Sequence, residues 1–527
     1  MARSITRPVA AVGLVAALLA YIGCGQPSST KDAAADAPTN PLTKPPAVPD
    51  SAGKSKLFAN WPTPAGALVI SGEQDGYLEP CGCTQGQQGG LTRRYDLAER
   101  LKAQSWPLAL IDLGSLIKDP AGSRGGPEES KFKFMTALQA LSTMNYDALA
   151  LSAEDLKLGV GEVLGQFLNN MGERTKVVVA NVEVPGFEGN IKPSLRLNAG
   201  KARIGVTAVL DPDALNKLAD PEKDTLLKVK TVAESLPGVL ADLEKDTDFQ
   251  VLMVQGPPEL AKTLAEAHPG FDVVVGTSHF DPKEDPELLN QGRTMLISVG
   301  KKGKYVGVVG FFPNTDKPMR YMAQALNSRF NGPAEAMKKV VQDDFRDLLK
   351  INKIVESFPR HHYANAPQGA AFVGADACKS CHPATFAKWS TTKHARGYDS
   401  LVTDPKPNTV YDAECVTCHT TGFEYNSGWV SAEATPHLKG NQCENCHGPA
   451  SKHIESPDDR DARKFLALTA ERADQTHMCL RCHDEDNSPH FKFETHYGQI
   501  AHKGMDTYTD PKVHQGSTPK VARRPGP

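Results

Sequence analysis

One short pattern occurs four times in the last third of this chain: Cys378-Lys379-Ser380-Cys381-His382, Cys415-Val416-Thr417-Cys418-His419, Cys443-Glu444-Asn445-Cys446-His447 and Cys479-Leu480-Arg481-Cys482-His483. Two cysteines three residues apart on a helical turn point the same way. Such a pair can bond both vinyl groups of one porphyrin, and the histidine that follows is aimed at its iron. Each pentapeptide therefore reads as one covalent haem c, with His382, His419, His447 and His483 as proximal iron ligands. Paired Cys-x-x-Cys units can also build tetrahedral zinc sites, but a histidine directly after every second cysteine is superfluous there. The segment is poor in large aliphatic side chains and cannot close a core alone; porphyrins would supply the missing apolar surface. A small, mostly α, loop-rich multihaem domain is expected over 371–505, with an apo-chain that does not fold.

The sixth iron ligand decides whether a haem only passes electrons or also admits a small molecule. Beyond the proximal four, the region holds His394, His437, His453, His477, His490, His496 and His502. Residues from about Val373 to Met505 resemble the cytochrome c-554-like tetrahaem family. The likeness lies in Ala377-Cys378-Lys-Ser-Cys381-His382 followed by Phe386, Trp389 and Thr392-Lys393-His394-Ala395. It continues in Cys443-Glu-Asn-Cys446-His447-Gly-Pro-Ala-Ser-Lys-His453, and in Cys479-Leu-Arg-Cys482-His483-Asp-Glu-Asp-Asn-Ser-Pro ahead of His502. The resemblance implies four haems packed in close pairs and His394, His453 and His502 as distal ligands. It also implies that one haem can be five-coordinate, without saying which.

All 11 cysteines fall into three groups: Cys24, the pair Cys81 and Cys83, and the eight of the pentapeptides. No cysteine in the C-terminal part is left for a disulfide framework. Arg3 and Arg7 precede an apolar run from Val9 to Ile22, shorter than the roughly 20 residues that span a bilayer and built like a secretory signal. Tyr21-Ile22-Gly23-Cys24 resembles a lipobox, which implies lipidation of Cys24 and a membrane anchor; plain secretion and an uncleaved anchor are the alternatives. Residues 25–56 carry almost no large apolar side chain and are expected to form a disordered tether. Lys+Arg number 59 against 62 Asp+Glu, a balance that gives no reason to expect a nucleic-acid partner.

From Leu57 to about Pro313, short apolar runs alternate with helical stretches, the pattern of an α/β layered sandwich. Strands are expected at 67–71, 108–112, 176–180, 203–209, 249–254, 272–275, 295–299 and 305–312, with a helix over 131–144. The order of elements resembles the calcineurin-like metallophosphoesterase fold of bacterial 5′-nucleotidases, in which Asp, His and Asn at strand ends hold two metals. Here those positions carry Ser71-Gly-Glu73-Gln74, Gly114-Ser115, Ala153-Glu154, Gln255 and Gly276-Thr-Ser-His279, so only His279 survives. Hydrolysis by two metals needs both ions, and no phosphatase activity is expected. The run Gly76-Tyr-Leu-Glu-Pro-Cys81-Gly-Cys83, with Gly86, Gly89, Gly90 and Arg93-Arg94, stands where the first metal motif would be. It resembles a signature of other exported proteins that join this degenerate domain to cytochromes. Its two thiols are a candidate thiol site or a redox-inert turn.

The full division is a signal with lipobox over 1–24, a tether over 25–56, the degenerate phosphoesterase-like domain over 57–315, a helical linker over 316–370, the tetrahaem domain over 371–505 and a disordered tail over 506–527. One amphipathic helix is expected from Pro333 to Glu356, with His361-His362 as an exposed pair. The leading expectation is extracytoplasmic electron transfer to redox partner proteins of the periplasm or membrane, from the periplasmic side or the cell surface. The alternatives are a small-molecule oxidoreductase working at an open haem or at Cys81-Cys83, and a binding module in which the degenerate domain docks a partner.

Overall fold

The computed structural model describes residues 56–80, 87–313 and 315–506. The expected signal, tether and tail, Cys24, and the pair Cys81 and Cys83 lie outside the described residues. Within 51–527 the chain is one compact unit.

Two sheets stack face to face. The first runs Met319–Ala325, Tyr305–Phe311, Gly66–Ser71, Leu108–Asp112, Ala148–Ala150, Lys176–Val178, Ile191–Lys192. The second runs Glu287–Leu289, Thr294–Ser298, Val273–Gly276, Phe249–Gln255, Ala202–Leu210, Ser194–Ala199. Central strands are parallel and buried on both faces, as Ala67 paired with Leu108 and Val251 with Val273 illustrate. Their sequences are accordingly near-continuous apolar runs such as Leu-Val-Ile and Val-Leu-Met-Val. Leu68, Ile70, Ile111, Val206, Met253 and Val275 fill the space between the sheets. Helices Leu91–Ala103, Gly126–Thr143 and Val160–Asn170 cover the first sheet, and Val232–Leu243 and Pro258–Ala267 the second. The fold is a four-layered α/β sandwich.

The strand Met319–Ala325 lies in the stretch read as helical linker, where it pairs antiparallel with Tyr305–Phe311. Its residues are half-buried or exposed on both faces, so the sequence carries no period-2 contrast to announce it. The helix expected over 333–356 is divided. An α-turn at Glu335–Lys338 passes through a π-helical stretch, Lys339–Asp344, into Phe345–Ile351. Left-handed Lys353 then separates the short helix Ile354–Ser357. The π-stretch moves the apolar stripe around the helix, so that Met337 and Val341, then Phe345 and Leu349, remain buried.

The region from 371 onward is made of short helices and loops. Its apolar residues Phe372, Tyr398, Leu401, Ala413, Val416, Phe423, Trp429 and Leu438 belong to the same continuous core as Phe134, Leu138 and Phe345. Among the described residues no helix is long and apolar enough to cross a membrane.

Candidate haem sites and the docked sandwich

Each pentapeptide closes a tight turn. The backbone N–H of His382 donates to the carbonyl of Cys378 at 2.9 Å, and that of His483 to Cys479 at 2.8 Å. The second and third pentapeptides lie in helices Ala413–His419 and Cys443–His447. Asp412 caps the former, its carboxylate accepting from the Cys415 N–H at 3.3 Å. None of the eight thiols is in a disulfide and all are half-buried. Thiols of different pentapeptides meet: Cys378 touches Cys443, and Cys418 touches Cys482.

Three of the four proximal candidates are faced by a second imidazole. His382 lies opposite His453 with ring centres 6.5 Å apart, His483 opposite His394 at 5.9 Å and His447 opposite His502 at 5.8 Å. An iron held between two imidazoles, each bonded at about 2 Å, sets ring centres roughly 6 Å apart. The spacing fits the group. Backbone carbonyls or hydroxyls hold Nδ1 of several rings: Gly397 for His419 at 2.7 Å, Leu466 for His447 at 2.7 Å, Ser488 for His483 at 2.9 Å and Ile500 for His502 at 3.0 Å. That leaves Nε2 of these rings for a metal. Nδ1 of His453 is buried with no hydrogen-bond partner. Burial holds His394, His447, His453 and His483 below the ordinary imidazole range, and neighbouring histidines add to the effect. The shift favours the neutral imidazole, the form that ligates.

Among the described residues no imidazole faces His419 in this way; its Nδ1 contacts are Gly397 and Ser400. Of the remaining candidates, His437, His477 and His490 are exposed, as are His361 and His362. His496 stacks on Phe491, whose other neighbour is His483.

In the sandwich, a buried cation stands at the ends of the strands Gly66–Ser71 and Leu108–Asp112. The guanidinium of Arg94 donates to Asp112 at 3.2 Å, to Ser71 at 3.1 Å and to the side-chain oxygen of Gln74. Arg94 and Asp112 are 1% and 0% exposed. Ser71 also donates to Asp112 at 2.6 Å and shares a hydrogen bond with Tyr146. Gln255 packs inward on the Leu113 carbonyl, while His279 is exposed. The sequence marked Arg93-Arg94 as a feature but gave no sign that Asp112 is its partner, because the two come from different elements.

The cytochrome-like region is docked on the sandwich through charges. Asp486, just past the fourth pentapeptide, accepts from Tyr77 at 2.6 Å and pairs with Lys302 at 2.5 Å. Arg124 donates to Asp484 at 2.7 Å. Glu79 pairs with Arg346 and, at 3.3 Å, with Lys406. Glu129 of the helix Gly126–Thr143 accepts the Ala413 N–H at 3.1 Å, and Lys133 reaches Glu414 at 2.6 Å.

Residues 377–448 match the family described as cytochrome c554 and c-prime, a span that takes in three of the pentapeptides. Over 136 residues the chain is 30% identical to Cytochrome c-554 of Nitrosomonas europaea, covering 22% of this chain and 58% of that protein. The C-terminal region is thus cytochrome c554-like, and the match implies covalently bound haem c there. Solved structures similar to the larger part include a 5′-nucleotidase precursor from Thermus thermophilus, at TM-score 0.46 and 18% identity over 68% of this chain and 74% of that one. A calcineurin-like phosphoesterase from Bacillus subtilis aligns at TM-score 0.42 and 14% identity, over 54% of this chain and 98% of its own.

Proposed function

We propose that this chain is an exported, lipid-anchored tetrahaem c-type cytochrome that carries electrons outside the cytoplasm, with Cys24 the lipidated residue. The observation that carries the reading is the set of three facing histidine pairs spaced for one iron each. Each pentapeptide takes one haem through its two cysteines, and His382, His419, His447 and His483 bind the four irons from the proximal side. On the distal side His453 serves the first haem, His502 the third and His394 the fourth. Haem c supplies one-electron chemistry. The chain's own residues fix ring orientation through Nδ1 contacts, and burial favours the neutral form of His394, His447, His453 and His483. The thiol contacts Cys378 with Cys443 and Cys418 with Cys482 favour close pairing of first with third and second with fourth haem. Redox proteins of the periplasm or membrane are the partners.

The sandwich has a binding or structural role. Arg94 stands among Ser71, Gln74 and Asp112 as a fixed internal cation, a setting unsuited to a two-metal hydrolase. Assayed with manganese and a phosphomonoester, the protein is expected to release no phosphate. A second reading, small-molecule redox chemistry at the haem of Cys415 and Cys418, is favoured by the absence of an imidazole facing His419 among the described residues.

The test is electronic absorption and electron paramagnetic resonance of haem-loaded protein, before and after reduction and after adding carbon monoxide or nitric oxide. Four low-spin haems without gas binding would leave electron transfer alone. One gas-binding, high-spin haem, lost in Cys415→Ala/Cys418→Ala, would add the second reading. Fewer than four haems per chain would refute the tetrahaem assignment.

A further inference from the structure

The helix that carries Cys415, Cys418 and His419 begins against a buried acidic group from the sandwich. Glu129 is 0% exposed, and one of its carboxyl oxygens accepts the Ala413 N–H. The other is buried without a hydrogen bond, 3.5 Å from the Lys133 ammonium. Carboxyl oxygens of Glu129, Asp412 and Glu414 lie within 4.8 Å of one another. Beside them stand Lys133, from the same helix as Glu129, and Arg346, from Phe345–Ile351, which also pairs with Glu79. Lys133 pairs with Glu414 at 2.6 Å, and Asp412 faces Arg346. Two cations therefore face the three carboxyls. Glu129, the deepest of them, shares Lys133 with Glu414, which holds the ammonium more closely, at 2.6 Å against 3.5 Å. A place for a metal ion is already taken by the Lys133 ammonium. The group is one positive charge short, and reduction of a neighbouring haem would remove another, which a proton on Glu129 would offset.

We propose that Glu129 is a redox-linked proton acceptor for the haem borne by the helix Ala413–His419, so that an electron delivered there is accompanied by a proton. Haem c held by Cys415, Cys418 and His419 would supply the one-electron chemistry, with the electron coming from a redox partner protein, and the Glu129 carboxylate would take one proton from the solvent buffer for each electron received. The net charge of haem and carboxyl cluster together would then be unchanged. Reoxidation returns the proton. Glu414, 40% exposed, opens the cluster to solvent. Burial and then the Asp412 charge push the Glu129 carboxyl upward, so it takes up a proton more readily than an ordinary carboxylate. The inference rests on the tetrahaem reading above.

The experiment is potentiometric titration of haem-loaded wild-type and Glu129→Gln protein across a pH series, followed by absorption, with infrared reduced-minus-oxidised difference spectra. In the wild type one wave is expected to fall with rising pH, its proton bound at least tenfold more tightly after reduction, which is about 59 mV for one electron. A carboxyl band should accompany that wave. Glu129→Gln should abolish both and leave the other waves in place. Equal slopes in the two proteins, or no pH-dependent wave, would overturn the proposal. Lys133→Met serves as a second variant should the first load haem poorly: it removes the nearest cation and should move the pH window upward, and an unmoved window counts against Glu129. Protein with no haem to reduce would instead overturn the tetrahaem reading.

Discussion

Replacing Arg94 by methionine should be among the most damaging single changes in the sandwich. The guanidinium is 1% exposed and lies against Asp112, which is 0% exposed. Removing one partner of a buried ion pair typically costs about 3–5 kcal/mol, because the other charge stays in a low-dielectric interior. Asp112 keeps two hydrogen bonds in the variant, from Ser71 at 2.6 Å and from the Gly114 N–H at 2.9 Å. The lower half of that range, roughly 3–4 kcal/mol, is therefore expected for Arg94→Met. Arg94→Met/Asp112→Asn removes the stranded charge while keeping a carbonyl for Gly114, so it should be more stable than the single variant by about 1–2 kcal/mol. Urea unfolding of haem-loaded proteins, followed by far-ultraviolet circular dichroism, measures both differences. An Arg94→Met protein within about 1 kcal/mol of wild type would refute the internal-cation account.

Other consequences can be checked separately. Burial pushes the Asp272 carboxyl up to about 6, although it accepts the Gln250 N–H at 2.8 Å. Because its folded value lies above the unfolded one, its contribution is present in full below about pH 4 and lost as pH rises through about 6. Asp272→Asn should remove roughly 2–3 kcal/mol of that pH dependence, read from thermal unfolding between acid and neutral pH. Glu444, inside the third pentapeptide, accepts backbone N–H groups of Gly374 at 2.7 Å and Ala450 at 2.8 Å. Glu444→Gln turns an amide N–H₂ toward one of these donors and should cost about 1–3 kcal/mol, seen as lowered thermal stability and haem content. Asp486→Ala removes the Tyr77 and Lys302 contacts and should cost about 1–3 kcal/mol, with faster hydrogen exchange over 484–487 as the local readout.

The parts of this molecule legible in the sequence were those with strong local signals. Central strands such as Leu108–Asp112 and Phe249–Gln255 are apolar runs buried on both faces, and they lie within a residue or two of where composition puts them. Ala148–Ala150 and Ile191–Lys192 are only 3 and 2 residues long, too short for a period to register. The pentapeptides were legible because their chemistry is contiguous. Which histidine faces which was not, since His382 and His453 are brought together only by folding. The cross-docking charges, Glu129 with Ala413 or Lys302 with Asp486, were hidden for the same reason: each half of the pair is an ordinary polar residue in its own neighbourhood.

The apolar core that runs from Phe134 through Phe345 to Val416 and Trp429 joins the haem-bearing region to the sandwich. Haem attachment and folding are therefore expected to be checked against each other during biogenesis. Haem loading is expected to firm up the packing of Leu401, Ala413 and Val416 against Phe345, seen as slower hydrogen exchange over 397–419 in haem-loaded protein.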